Sequence, residues 1–212
     1  MCACGKMYAY KIGGDLLDIR LQNQIDRSIP YKNIIMRCDE YDIQPIGEND
    51  FHIRKYKNGD ENYWAEIEYK IGDFNSVEEA LDYFVQNYNL DELVNKCFFA
   101  ETSDGKVVGT CIAWYDNKDD VVVSSLHWLA VLPKYQHKGI GRALVISVMN
   151  YYQENGLLPV YLHTQPWSYK AIKLYYSIGF NIQHVDTFGN YKNEYKEAKE
   201  ILSNYLPLEI LI

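Results

Sequence analysis

Gly139 and Gly141 flank Ile140 at the head of a long apolar, periodic stretch, and Lys138 and Arg142 sit beside them. The window, VLPKYQHKGIGRAL over residues 131–144, also contains Pro133 and Lys134. Two side chains are missing where a helix is expected to start. Main-chain N–H groups are then left bare at the positive end of the helix dipole, an arrangement that attracts an anion. A diphosphate beside the two cationic side chains is the natural guest. Two familiar phosphate cradles fail on spacing. There is no G-x-x-x-x-G-K-[ST] run. After Gly139-Ile140-Gly141-Arg142-Ala143, Leu144 stands where a dinucleotide fingerprint needs a small residue. A glycine turn before an ordinary helix is the other reading of the window taken alone.

The elements around it follow from periodicity. Residues 34–38 and 51–56 read as short strands joined by a connector with Pro45 and Gly47. Asp60 is placed to cap a helix over 61–71, and Ser76 with Glu79 forms a capping box for a helix within 73–88. An imperfect apolar stripe over 15–27 suggests a further helix. Residues 97–102 and 107–116 alternate as strands around the turn SDGK, whose Asp104-Gly105 is a strong hairpin signal. After NKDD, residues 121–131 form a long strand rich in β-branched residues. Beyond the glycines, Ile140, Ala143, Leu144, Ser147, Val148 and Tyr151 share one helical face, and Gly156 ends that helix. A strand at 159–164, a helix at 168–178 closed by Gly179, a strand at 180–188 and a helix at 193–206 complete the chain.

The segment LAVLPKYQHKGIGRAL resembles motif A of the GNAT superfamily of acyl-CoA-dependent N-acyltransferases. Gln136-His137-Lys138-Gly139-Ile140-Gly141 satisfies its Q/R-x-x-G-x-G/A core. Downstream, AIKLYYSIGF over residues 171–180 is similar to the family's A-x-x-L-Y-x-x-x-G-F junction. The resemblance covers about residues 51–186. It implies an α/β fold, with a mixed, mostly antiparallel sheet carrying helices on both faces. That sheet would splay between strand 121–131, the fourth core strand, and strand 159–164, the fifth. It implies a core domain over 51–190, with residues 1–50 as an N-terminal extension packing on it and 191–212 as a C-terminal helical extension.

The resemblance also implies a chemistry. Acetyl-CoA would be the acyl donor, its diphosphate held by main-chain N–H groups of His137, Lys138, Gly139, Ile140, Gly141 and Arg142, with Gln136 opening the motif. Leu129, Ala130 and Val131, on a strand bearing a bulge, would pair with the pantetheine arm as an added strand. Ser168 stands where the family often has Asn; it can cap the following helix and contact the pantetheine. Tyr175 matches the family tyrosine and would protonate the leaving thiolate; Tyr176 points about 100° round the helix. Many members carry a glutamate on the fourth strand, yet no carboxylate lies between Val121 and Val131. His127 is then the candidate base. Strict alternation puts it on the face of Leu129 and Val131, and His163 is a second option. The expected reaction is N-acetylation of a primary amine on a small molecule or peptide. The alternative is a coenzyme-binding or sensing module without turnover, which the missing strand carboxylate would favour. The acceptor pocket is expected from residues 60–90, the end of strand 159–164 and the C-terminal strand, with Tyr63, Trp64, Tyr83, Phe84, Trp167 and several carboxylates as candidate walls, an aromatic and acidic lining that would suit a cationic amine.

The totals agree with an enzyme-sized domain. The chain has 212 residues, 48% of them hydrophobic, and a net charge of −8. That charge argues against a nucleic-acid partner. No apolar run approaches the ~20 residues needed to span a bilayer. The five cysteines, Cys2, Cys4, Cys38, Cys97 and Cys111, suit free thiols in a reducing cytoplasm. No second pair completes a metal site with Cys2 and Cys4, so no metal is expected. Homodimerisation is left open as a partner option.

Overall fold

In a computed structural model, residue 26, residues 28–47 and residues 50–212 are described. Apart from Asp26, the stripe expected over 15–27 lies outside them, as do Cys2 and Cys4. Among these residues, seven strands form one sheet: β1 (Ile34–Cys38), β2 (Phe51–Lys55), β3 (Cys97–Thr102), β4 (Val107–Lys118), β5 (Val121–Val131), β6 (Val160–Thr164) and β7 (Asn181–Gln183). Their spatial order is β2-β3-β4-β5-β6-β1-β7. Every neighbouring pair is antiparallel except β5–β6. The α/β fold, mixed and mostly antiparallel, is the one the resemblance implied.

Among the described residues, six helices cover the sheet: α1 (Asp60–Ile71), α2 (Val77–Asn87), α3 (Leu90–Lys96), α4 (Ile140–Glu154), α5 (Tyr169–Tyr176) and α6 (Tyr195–Leu202). Gly109 on β4 marks the α4 face. A Cβ there would meet the Ala130 carbonyl at 2.9 Å and Leu144 at 3.1 Å, so glycine lets β4 and α4 approach. Ile112 has the opposite parity, and its partner His127 reaches Tyr88 at the end of α2. Helices therefore lie on both faces of the sheet.

Some elements differ from expectation for local reasons. Gly59, not Asp60, precedes α1. Asp60 is its first residue, and its carboxylate accepts from Arg54 at 2.6 and 3.0 Å and from the Lys57 N–H at 2.7 Å. Ser76 caps α2 by accepting from the Glu79 N–H, but Glu79 reaches back to the Asn75 N–H instead of that of Ser76. Helix α3 is an addition, started by Asn89 accepting from the Asp91 N–H. The β4–β5 connection needs only Asp119 and Asp120, both at positive φ, so β4 runs on to Lys118. The last strand is three residues long, because Asn193 donates to the carbonyls of Gln183 and Asp186 and holds a loop there.

Within the first 50 residues, β1 is a strand of the sheet itself, inserted between β6 and β7. Ile34, Ile35 and Met36 are fully buried. Among the described residues no helix is long and apolar enough to cross a membrane. The packing of β1 gives a first prediction. Met36→Ala should cost about 2–5 kcal/mol in urea unfolding, the range of a core cavity; a loss below about 1 kcal/mol would show β1 to be peripheral.

Candidate active site

The glycine window opens α4 as its composition requires. After a short turn at Pro133–Tyr135, His137 and Gly139 adopt φ of 61° and 82° and aim the chain into the helix. The Ala143 N–H donates to the Gly139 carbonyl at 3.0 Å, closing the first helical turn. The N–H groups of Ile140, Gly141 and Arg142 precede that bond and have no helical acceptor. A Cβ on Gly139 would meet nothing within 4 Å, while one on Gly141 would touch Leu174 of α5 at 3.5 Å and Val131 of β5 at 3.9 Å. The helix start, the end of β5 and α5 thus meet at Gly141. The Arg142 guanidinium is tied to Ser177 at 3.0 Å and Gln44 at 3.2 Å, whereas Lys138 lies over the Tyr135 ring. The Gln136 side chain donates to the Val131 carbonyl at 3.0 Å, pinning the loop to the strand.

Strand β5 carries a bulge. Thr110 and Ile112 of β4 pair with Ala130 and His127, so Trp128 and Leu129 face one residue, Cys111. Trp128 takes φ 51°, a left-handed conformation unfavourable for a large side chain. Its ring is clamped among Trp64, Phe74 and Tyr83, with centroids 5.2–5.8 Å away. The bulge corrects the face assignment of His127. Partners of Thr110 and Ile112 share one face, so His127 lies with Ala130 and not with Val131. The Leu132 N–H donates to the Val108 carbonyl, so by alternation the main chain of Ala130 is also directed at β4. Val131 presents its main chain away from β4, toward β6. There β5 and β6 pair only at Ser124–Val160 and Ser125–Tyr161 before they part.

A cavity of about 200 Å³ opens in that gap, lined on the sheet side by Ser125, His127, Trp128 and Leu129. Thr164 and His163 of β6, Ser168 and Tyr175 at α5, and Phe188 and Tyr191 close other sides. Tyr175 is buried, its hydroxyl makes no hydrogen bond among the described residues, and burial pushes its pKa up, so the phenol keeps its proton. Ser168 does not cap α5 through its side chain; its hydroxyl accepts from Gln165 at 3.1 Å. Burial pushes His127 down to about 4, and its Nδ1 lies 3.1 Å from the Tyr88 hydroxyl. His163 is also pushed down to about 4, first by burial and then by His127; it stacks on Tyr191 and lies 2.7 Å from Asn33. Both imidazoles are neutral at pH 7.

Carboxylates were expected from residues 60–90, but two cavity residues with unpartnered oxygens were not singled out. Glu68 of α1 is fully buried, and neither carboxyl oxygen has a hydrogen-bond partner among the described residues. Burial, then nearby Asp73, drives its pKa well above the ordinary carboxylate range. The buried Ser125 hydroxyl also lacks a partner among the described residues. One signal was available for Glu68: it lies one turn beyond Trp64, on the helix stripe that also buries Ala65 and Ile67. The cavity draws on the three segments expected to build the acceptor pocket, but not through the expected aromatics. Trp64 packs against both Tyr83 and Phe84, Tyr63 faces outward, and Trp167 packs against Tyr31 at a tilt of 52°. Of the sequence-selected residues, the cavity gathers His127, Leu129, His163, Ser168 and Tyr175, whereas residues 136–142 lie beyond it at the start of α4.

Residues 60–180 match the model of the acetyltransferase (GNAT) family, more than half of the chain. The chain belongs to the GNAT family. Strand β1 lies upstream of the matched GNAT region. A mouse protein named N-acetyltransferase family 8 member 3 is 30% identical over 115 residues, 52% of this chain and 50% of that protein. The Escherichia coli [ribosomal protein bS18]-alanine N-acetyltransferase is 33% identical over 85 residues, 39% of this chain and 53% of its own. This GNAT chain therefore spans about half the length of the curated relatives it matches. Among solved structures, a GCN5-related N-acetyltransferase from Sphaerobacter thermophilus superposes with a TM-score of 0.58 at 22% identity, over 72% of this chain and 50% of that one. An aminoglycoside N-acetyltransferase in complex with CoA superposes with a TM-score of 0.52 at 17% identity, over 71% of this chain and 99% of that one. At these identities the likeness establishes the GNAT fold.

The buried glutamate has a consequence for stability. Glu68 retains in the folded state a proton that the unfolded chain releases near pH 4.3. Its stabilising contribution is complete below that value and is lost as pH rises toward its folded pKa. Glu68→Gln should therefore gain on the parent protein between about pH 5 and pH 8, by up to about 1.4 kcal/mol per pH unit. Urea unfolding across that range reads the difference, and a constant gap would refute the assignment.

Proposed function

We propose that this chain is an N-acetyltransferase that moves the acetyl group of acetyl-CoA to a primary amine on a small molecule or peptide. One observation carries the reading. The donor-rich start of α4 meets the open side of β5 at Gly141 and Val131, and that side leads into the cavity holding Leu129 and Tyr175. Bare helix N–H groups, a strand edge that β6 leaves, and a buried phenol thus follow one another along the gap between β5 and β6. The names of the GNAT relatives and the CoA complex of the aminoglycoside enzyme support the same reading.

The residues present fit acetyl-CoA. Main-chain N–H groups from His137 to Arg142 would hold the diphosphate, and the absence of a Cβ at Gly139 leaves room for it. Val131 and Leu129 would align the pantetheine, with Ser168 at the far side. When bound, acetyl-CoA supplies the acetyl thioester. A main-chain donor near Leu129 would stabilise negative charge developing on the carbonyl oxygen. Tyr175, protonated throughout the neutral range, would donate to the departing sulfur. His127 is too weakly basic to deprotonate an ammonium, whose pKa is about 10.4 for a lysine-like amine. We assign it instead to a neutral hydrogen-bonding role beside Tyr88.

Calorimetry with acetyl-CoA, followed by thiol release across a panel of primary amines, tests the proposal. Micromolar binding and amine-dependent release are expected; binding without release under any amine would replace the enzyme with a sensing module. Tyr175→Phe should lower kcat roughly 100-fold while acetyl-CoA affinity stays within about twofold. Gly139→Val, forced into positive φ, should weaken acetyl-CoA binding roughly 10-fold or more.

A further inference from the structure

Most members of a family expected to carry a base on the fourth core strand would place it on β5, yet β5 bears no carboxylate. The cavity nevertheless contains one, supplied from α1. Glu68 and Ser125 bring three buried polar oxygens to its wall, none with a hydrogen-bond partner among the described residues. An unpaired buried oxygen costs stability and is retained where something else binds it. Asp73, exposed on the same wall, adds a second carboxylate, and no lysine or arginine lines the cavity. The other titratable groups facing Glu68 are uncharged near neutral pH. Burial holds His127 and His163 unprotonated, and it holds Cys97 of β3, Cys111 of β4 and Tyr175 protonated. The guest that suits acidic oxygens between the apolar surfaces of Ile71, Trp128, Leu129 and Phe188 is an organic ammonium.

We propose that Glu68 binds the acceptor's primary ammonium, together with the Ser125 hydroxyl, and takes its proton. The proposal rests on the acetyltransferase reading above and names the base that β5 lacks. Bound R–NH3+ lowers the pKa of the carboxyl, and Glu68 gives up its resting proton to water; the carboxylate then accepts one proton from R–NH3+ and leaves R–NH2. The nitrogen lone pair then forms the C–N bond at the acetyl carbonyl, the C–S bond breaks, and the second N–H proton reaches the thiolate by way of the Tyr175 phenol. Glu68 ends the turnover protonated, as it began. The sum is R–NH3+ and thioester giving amide, thiol and one proton. A carboxyl held above its ordinary range is the stronger base for this step. Exposed Asp73 draws cations to the mouth, and the acceptor class is a primary amine on an apolar or aromatic carbon frame.

The test compares the parent protein with Glu68→Gln and Glu68→Asp. For Glu68→Gln, kcat should fall roughly 100-fold or more, with acetyl-CoA affinity by calorimetry within about twofold. The loss of kcat/KM toward acid pH, which reports protonation of Glu68, should vanish with it. Glu68→Asp should retain that acid limb at a reduced rate. A Glu68→Gln enzyme within about threefold of the parent, or one with an unchanged acid limb, overturns the assignment. A second readout does not depend on turnover. Carbon-13 NMR of the Glu68 carboxyl, assigned by its absence in Glu68→Gln, should show its pKa falling by about one unit or more in n-butylammonium. An unmoved pKa also overturns the assignment. If the parent protein releases no CoA with any amine while the carboxyl still responds to n-butylammonium, the transfer reading fails and the ammonium site stands.

Discussion

Strands β5 and β6 hydrogen-bond at two residue pairs and then separate, although each continues. A parallel pair that parts leaves main-chain polar groups facing a gap, and buried groups of that kind need partners. The bulge at Trp128 and Leu129 turns β5 at the same level, and the aromatic clamp of Trp64, Phe74 and Tyr83 holds Trp128 in its left-handed conformation. Helix α4 begins at the end of that gap, so its bare N–H groups and the side of β5 that β6 leaves belong to one continuous surface. Remove the divergence and the glycine window would be an ordinary helix start.

Burial then sets the chemistry of the groups around the gap. The imidazoles of His127 and His163 lose their charge, the Tyr175 phenol keeps its proton, and Glu68 keeps a proton that water would ordinarily take. All four shifts favour neutral forms, which is what desolvation does without a counter-ion. The cavity is therefore primed for a guest that brings its own positive charge. Among the described residues, Glu68 alone combines a carboxyl group, complete burial and missing partners, which is why the proposed base is Glu68 and not the His127 of the sequence reading.

Elements with strong local codes were legible in advance. The hairpin around Asp104-Gly105, the apolar face of α4 and the Ser76 cap each depend on residues within a few positions of one another. The misreadings share a cause as well. Asp60 looks like a cap until Arg54, on a neighbouring strand, takes its carboxylate. Residues 180–188 alternate like a strand until Asn193 ties their carbonyls into a loop. In each case a side chain distant in sequence or in another element competed with the local preference and won.

By itself, the chain determined the glycine-led helix start at residues 137–142, the position of Tyr175 on the helix beyond the next strand, and an α/β fold that could hold them, because glycine spacing and apolar periodicity are local properties. Only the tertiary structure decided that β1 enters the sheet between β6 and β7, that the bulge turns His127 to the face of Ala130, and that Glu68 reaches the same cavity as Tyr175. Those outcomes depend on which segments exclude water from one another, and a single residue of added register reverses the direction of every side chain before it.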